Sequence, residues 1–324
     1  MIVLVTGASG FIGGALVRAL EACGDIEVHG VSRRATALAR YHRRDLSRPF
    51  DLDVVPDAVV HAAALASPWG SRRAFERHNV EAVRRVVEFC ERAAERRGGA
   101  FPRLVFLSST SVFYREADQT GLTEASPIGP AFLNAYARTK AAGERVATGY
   151  AGRSVVVRPR AVFGPGDTVL FPRLLRAARA RRLPLLERPT GPAIGDLIGI
   201  DALCDYLARL LVHPDPAPAY NLTNAEPVAL ETLLLDVLAR LDLPVPTRRV
   251  PVGRALAAAS ALETLWRTLL LPGEPPATRF GVATMAFSKT FDVSLALADL
   301  GPPSVGLDEG VERFVAWQRS RGGA

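Results

Sequence analysis

Cysteine and histidine are too sparse and too scattered in this chain to build a site of their own. Cys23, Cys90 and Cys204 lie far apart and outside any CxxC spacing, so neither a disulfide framework nor a zinc site is expected. His29, His42, His61, His78 and His213 are equally dispersed, without carboxylate or cysteine partners at ligand spacing. No metal is expected. Ahead of the first glycine-rich turn there is only the apolar run Ile2-Val3-Leu4-Val5, which leaves no room for a charged segment, a longer apolar stretch and a cleavage site. No signal peptide is therefore expected, and a reducing cytoplasm fits. Internal repeats and low-complexity linkers are missing too. The apolar segment Ala255 to Leu271 is short and carries Glu263 and Arg267 at its centre, which argues against an integral membrane segment. A lipophilic pocket wall, a peripheral membrane contact and a plain core helix all stay open for it.

What the chain does have is length and apolar content. Its 324 residues are 48% hydrophobic, enough for one large α/β domain or a main domain with a smaller lobe. The net charge of +7 raises a polyanion partner. The arginines of Arg72 to Arg97 and Arg173 to Arg182, however, are interleaved with Ala, Val, Leu and Glu, as on solvated helix faces. Nucleic acid is not expected as a partner.

Short β-branched runs alternate with longer helical patterns in the first half. Ile2 to Thr6, Ile26 to Ser32, Ala58 to His61, Arg103 to Ser108 and Ser154 to Val157 read as strands. Phe11 to Cys23, Arg72 to Arg96 and Ala135 to Tyr150 read as helices between them. This order predicts an α/β fold, a doubly wound parallel sheet (Rossmann type) with a smaller, mostly helical C-terminal substrate lobe. The expected division is residues 1–165 for dinucleotide binding, with 195–225 returning to the sheet through Tyr220-Asn221-Leu222. Residues 166–194 and 226–324 would then form the lobe.

Gly7, Gly10 and Gly13 follow the first strand and open the first helix, the context in which such a motif cradles a pyrophosphate. The second strand ends Gly30-Val31-Ser32-Arg33-Arg34. A carboxylate here would suit the ribose hydroxyls of NAD. A hydroxyl and two guanidinium groups suit a 2′-phosphate instead, so NADP is the expected cofactor and NAD the alternative. Asp45-Leu46 follow at the expected adenine edge, where Asp45 reads equally as a turn residue.

Tyr136 and Lys140 stand four apart on a predicted helix and face the same way. A neighbouring ammonium is expected to lower the tyrosine's pKa and make it a proton donor to a carbonyl oxygen. Ser109, in the hydroxyl-rich Ser109-Thr110-Ser111 at a strand end, is chosen to orient that oxygen, with Thr110 and Ser111 as alternatives. Asn79 is a candidate to hold a water or a carbonyl in a relay to Lys140.

The set Thr6 to Gly13, His61-Ala62-Ala63, Asn79-Val80, Ser108-Ser109, Tyr136-Ala137-Arg138-Thr139-Lys140 and Arg158 to Asp167 resembles the extended short-chain dehydrogenases, the NAD-dependent epimerase/dehydratase superfamily. Pro68-Trp69-Gly70, Phe163 to Asp167 and Leu307 to Trp317 are most similar to its 3β-hydroxysteroid dehydrogenase branch, which includes reductases of long-chain 2-alkyl-3-oxoacids. The resemblance implies a Ser/Tyr/Lys site, a homodimer and a nicotinamide cofactor. Phe11, Ile12, Ala62, Ala63, Tyr136, Lys140, Pro159 and Val162 would join the glycines in contacting that cofactor.

It also implies a small-molecule ketone or secondary alcohol of apolar character as substrate. Nucleotide-sugar epimerisation is the alternative, and a non-catalytic dinucleotide sensor a third reading. Thr110-Ser111 stand where a sugar dehydratase would carry Asp-Glu, which disfavours dehydration. Asp196-Leu197-Ile198-Gly199-Ile200-Asp201-Ala202 departs from the Asp-x-x-Tyr-Val-Asp-Asn such proteins tend to carry, so that loop's usual contacts are in doubt.

Overall fold

The computed structural model of the protein describes residues 1–322. Its central sheet holds β1 (Ile2–Thr6), β2 (Glu27–Ser32), β3 (Tyr41–Arg43), β4 (Ala58–His61), β5 (Arg103–Leu107) and two later strands, Ser154–Pro159 and Ala219–Leu222. From one edge the order is Ala219–Leu222, Ser154–Pro159, β5, β4, β1, β2, β3, and every pairing is parallel. Strands covered on both faces need apolar residues at successive positions. Val3, Val5, Val105, Leu107, Val155 and Val157 enter one core with helices α1 (Phe11–Ala22) and Ile200–Val212. Leu4, Leu104, Phe106 and Val156 enter the other, with α3 (Ala82–Arg96) and α4 (Ala135–Thr148). The period of two between the cores is the pleat of the strands.

Strand order reverses between β1 and β4, which opens a crevice at their carboxyl ends. The helix expected over Arg72 to Arg96 is not uniform. It begins as α2 (Arg72–Glu76), loosens into a π turn at Arg77–Glu81 and resumes as α3. That turn carries Asn79, and π turns often mark functional positions. β3 was not foreseen, because three residues of Tyr-His-Arg give no alternation to read.

A second sheet pairs Val228–Ala229, Ile194–Gly195, Lys289–Phe291 and Gln119–Leu122. Its last strand comes from the first half of the chain, so residues before α4 are tied to the C-terminal region. A third core, including Phe163, Phe171, Leu197, Leu234 and Phe314, underlies that region. The segment Ala255 to Leu271 lies mostly in the helix Val252–Thr268, in which only Ala259 is buried. Leu265, Leu269 and Leu270 face outward, so it is a surface helix and not a core one. Among the described residues, no helix is long and apolar enough to cross a membrane.

Candidate active site

The glycine turn forms as read. Gly7 has φ +72°, and a Cβ there would stand 2.9 Å from the Ala63 backbone. A Cβ on Gly13 would lie 2.3 Å from the Gly7 carbonyl oxygen, closer than any real contact. The turn, the start of α1 and Ala62-Ala63 after β4 therefore meet backbone to backbone at the mouth of the crevice. Gly10 caps α1, and no acidic residue stands in its first turn, which leaves the positive end of the helix dipole open to an anion. These residues fit a dinucleotide pyrophosphate. Phe11 and Ile12 are half-buried at the same helix start.

Beyond β2, Arg33 and Arg34 are exposed, as are Arg43, which ends the neighbouring strand β3, and Arg44 after it. Arg33 Nη1 lies 3.3 Å from His78 Nε2. Burial, with the charges of Arg33 and Arg77, holds His78 below its ordinary pKa. The Ser32 hydroxyl is used locally: it donates to the Arg34 carbonyl at 3.0 Å and pairs with the Tyr41 hydroxyl at 2.8 Å. Asp45 is likewise committed. Its carboxylate accepts from the Ser47 backbone and hydroxyl and from Arg77 at 2.9 Å. Burial works against its ionisation, but the Ser47 bonds and the Arg77 and Arg33 charges outweigh that and hold it low. The Leu46 side chain turns into the core with Leu4 and Val31. Asp45 thus has the geometry of a turn residue, and Arg77 and His78 are the neighbours that sequence reading missed.

Ser109 caps the short 3₁₀ turn Thr110–Phe113, its hydroxyl accepting from Ser111 N at 3.2 Å. Asn134 caps α4 by accepting from Ala137 N at 2.8 Å, which fixes the first turn where Tyr136 stands. The Ser109 hydroxyl lies beside the Tyr136 phenol and favours its ionisation. Burial nevertheless pushes the Tyr136 phenol up to about 12. This reverses the expected direction, for a clear reason. The Lys140 ammonium is bonded to the Leu107 carbonyl and lies 4.6 Å from the Phe106 ring centroid, so it is engaged away from the phenol. Burial lowers Lys140 to about 7, with Glu144 pulling the other way. Thr110 donates to the Pro159 carbonyl at 3.4 Å, bringing that segment beside the hydroxyls, while Val162 is half-buried on a short pairing with Ile198.

Asn79 does not touch Lys140. Its Oδ1 accepts from Leu65 N at 2.7 Å, and its Nδ2 donates to the Leu65 carbonyl at 3.3 Å and to Thr139 Oγ1 at 3.1 Å. It ties the loop after β4 to the residue preceding Lys140, a positioning arrangement.

Behind Lys140 lies a buried network that sequence reading missed. Glu144 receives two bonds from Arg158, at 3.0 and 2.8 Å, and one from the Ser108 hydroxyl. Its position four residues beyond Lys140 on the same helix face was the available signal. Glu144→Gln is expected to move the alkaline limb of the pH–rate profile downward, because it removes the carboxylate that favours the Lys140 ammonium. It also leaves Arg158 buried without its counter-ion, at a cost of about 3 kcal/mol. A pH series and a urea melt measure the two effects; an unmoved alkaline limb would exclude the coupling.

A profile of the NAD dependent epimerase/dehydratase family matches residues 3–224. The chain belongs to that family. A 2-alkyl-3-oxoalkanoate reductase of Shewanella oneidensis is 34% identical to it, over 96% of this chain and 85% of the relative. One from Stenotrophomonas maltophilia is 32% identical over 98% and 99% of the two chains. Among solved structures, MoeE5 in complex with UDP-glucose and NAD is 26% identical, with a TM-score of 0.72 over 99% of each chain. With such relatives this family member is an NAD(P)-dependent oxidoreductase.

Proposed function

We propose that this protein interconverts a ketone and a secondary alcohol on an apolar, long-chain oxoacid-like or steroid-like substrate, with NADP as its cofactor. The observation that carries this reading is the Ser109–Tyr136 hydroxyl pair at the sheet's carboxyl edge, with buried Lys140 one helical turn on. When bound, the nicotinamide supplies or accepts the hydride. The glycine turn and α1 bind the pyrophosphate, and Ala62, Ala63, Pro159 and Val162 line its path. Ser109 orients the substrate oxygen. Tyr136, held protonated by its burial, donates the proton at that oxygen in the reduction direction. Lys140 supports the nicotinamide ribose and places a cation near the developing charge, while Asn79 holds the backbone around it.

The NADP assignment rests on exposed Arg33 and Arg34, with Asp45 committed to Ser47 and Arg77. Arg33→Ala is expected to weaken NADPH binding about tenfold and NADH binding hardly at all, since one charge-assisted contact is lost. Fluorescence titration of both nucleotides checks this, and equal effects on the two would remove the assignment. Turnover of a panel of ketones with NADPH, set against UDP-sugars, tests the reaction itself. Epimerisation of a UDP-sugar without ketone reduction would replace this proposal by the epimerase reading. A homodimer, implied by the resemblance, and a cytoplasmic location, which the scattered cysteines fit, complete the proposal, and light scattering of the purified protein tests the mass.

A further inference from the structure

Arg77, His78 and Asn79 are consecutive on the π turn, and each reaches a different segment of the chain. Arg77 donates to Ser47 at 2.8 Å and to Asp45 at 2.9 Å, in the loop after β3. Asn79 is bonded to Leu65 and Thr139. His78, half-buried between them in sequence, holds Arg33 at 3.3 Å, just beyond the end of β2. A guanidinium carries donors and no acceptor, so the imidazole accepts at Nε2 and is neutral.

The glycine turn fixes where this contact lies. Gly7 N donates to the Val31 carbonyl at 2.8 Å, which sets the end of β2 directly beside the turn that fits a pyrophosphate. The Arg33 carbonyl accepts from Arg43 Nε at 3.1 Å, and the Arg34 carbonyl accepts from the Ser32 and Tyr41 hydroxyls, so the backbone of this corner is held. In such folds the 2′ position of the adenosine ribose falls at the end of the second strand. A phosphate on that position meets Arg33, with His78 next to it. The charged groups that face His78 are Arg33 from the β2 end, Arg77 from its own turn and Asp45 from the loop after β3. Asp45 is already paired with Arg77, so burial and the two guanidinium groups together disfavour an imidazolium. A dianion reverses that balance. Its charge offsets the guanidinium groups, and its oxygens accept from a protonated Nε2.

We propose that His78 is a specificity-determining residue for the cofactor, taking up a proton as the 2′-phosphate of NADPH binds and donating Nε2–H to it beside Arg33. This deepens the NADP reading and rests on it. NAD carries a hydroxyl at that position and brings no charge to hold the proton. Affinity for the phosphorylated nucleotide alone therefore depends on His78. The bound state holds more protons than the free state, so the preference strengthens as pH falls from 8.5 to 6.5. The second ionisation of a phosphate, near about 6, lies below that window.

Calorimetry with 2′,5′-ADP and 5′-AMP, which differ only in the 2′-phosphate, tests this at pH 6.5 and pH 8.5. Wild type is expected to favour 2′,5′-ADP at least about tenfold at pH 6.5, and about fivefold less strongly at pH 8.5. His78→Gln, neutral at both pH values, should show the weaker preference at both. His78→Arg, charged at both, should keep the stronger one. Wild-type titrations in buffers of different ionisation enthalpy should reveal proton uptake with 2′,5′-ADP, and both variants should lose it. A merely structural role would weaken the two probes by the same factor and leave their ratio and its pH dependence unchanged. That result, or a wild-type pH dependence retained in His78→Gln, overturns the proposal. If His78→Gln does not fold, judged by its melting temperature, the same pH dependence retained in His78→Arg overturns it. The NADP reading fails differently: a wild type without preference for 2′,5′-ADP at either pH removes that assignment and the role of His78 with it. A strong preference that no His78 variant moves removes the role of His78 alone.

Discussion

Tyr136→Phe is expected to lower kcat about 10³-fold while nicotinamide cofactor affinity and the melting temperature stay near wild type. The ring keeps its place at the start of α4, and only the hydroxyl that pairs with Ser109 is lost. Proton transfer by a positioned side chain contributes about 10²–10⁴-fold. The phenol pushed up to about 12 bears on direction. It stays protonated across the neutral range, so it is poised to donate and not to abstract. Reduction is therefore expected to be fast near neutrality, and alcohol oxidation to accelerate with alkaline pH. Stopped-flow measurement of a single turnover isolates the chemical step, and full turnover in the variant would end the proton-donor assignment.

Lys140→Met separates function from stability. Activity is expected to fall about 10²–10³-fold, the range seen when one preorganised electrostatic contact is removed. The fold, in contrast, should become more stable. Burial lowers Lys140 to about 7, well below the value of an exposed lysine in the unfolded chain. Between those two values the unfolded state binds more protons, so wild-type stability rises with pH from about 7 towards 10. Below about 7 the native state carries its buried ammonium at full cost. Methionine has no such cost, so its advantage is greatest below pH 7 and shrinks as pH climbs. Denaturant melts at pH 6 and pH 9 measure the difference, and a variant less stable than wild type at pH 6 contradicts this account. Glu144 sharpens the point, since its carboxylate partly supports the ammonium while paired with Arg158.

Much of the framework was readable in the chain. β1 and β4 have the limits that their β-branched runs predict, and α1 starts where the glycine turn ends. Tyr136 and Lys140 were readable as a pair because helical spacing places i and i+4 on one face whatever surrounds the helix. Asn79 was visible as a lone polar residue, but its π turn was not, since a local widening of the helix leaves the hydrophobic period intact. Asp45 was ambiguous, and its contacts with Ser47 and Arg77 come from two separate segments. Arg160 stood in a quoted motif without any chemistry attached, because its burial and its stacking on Tyr114 join residues far apart in the chain.

By itself, the sequence determined the doubly wound sheet, the glycine turn and the choice of hydroxyl, phenol and amine as candidates, because these follow from local periodicity and short fixed spacings. Tertiary structure alone decided the state in which those groups act. Desolvation and charge balance depend on which distant residues close over a site, and here they raise Tyr136 and lower Lys140.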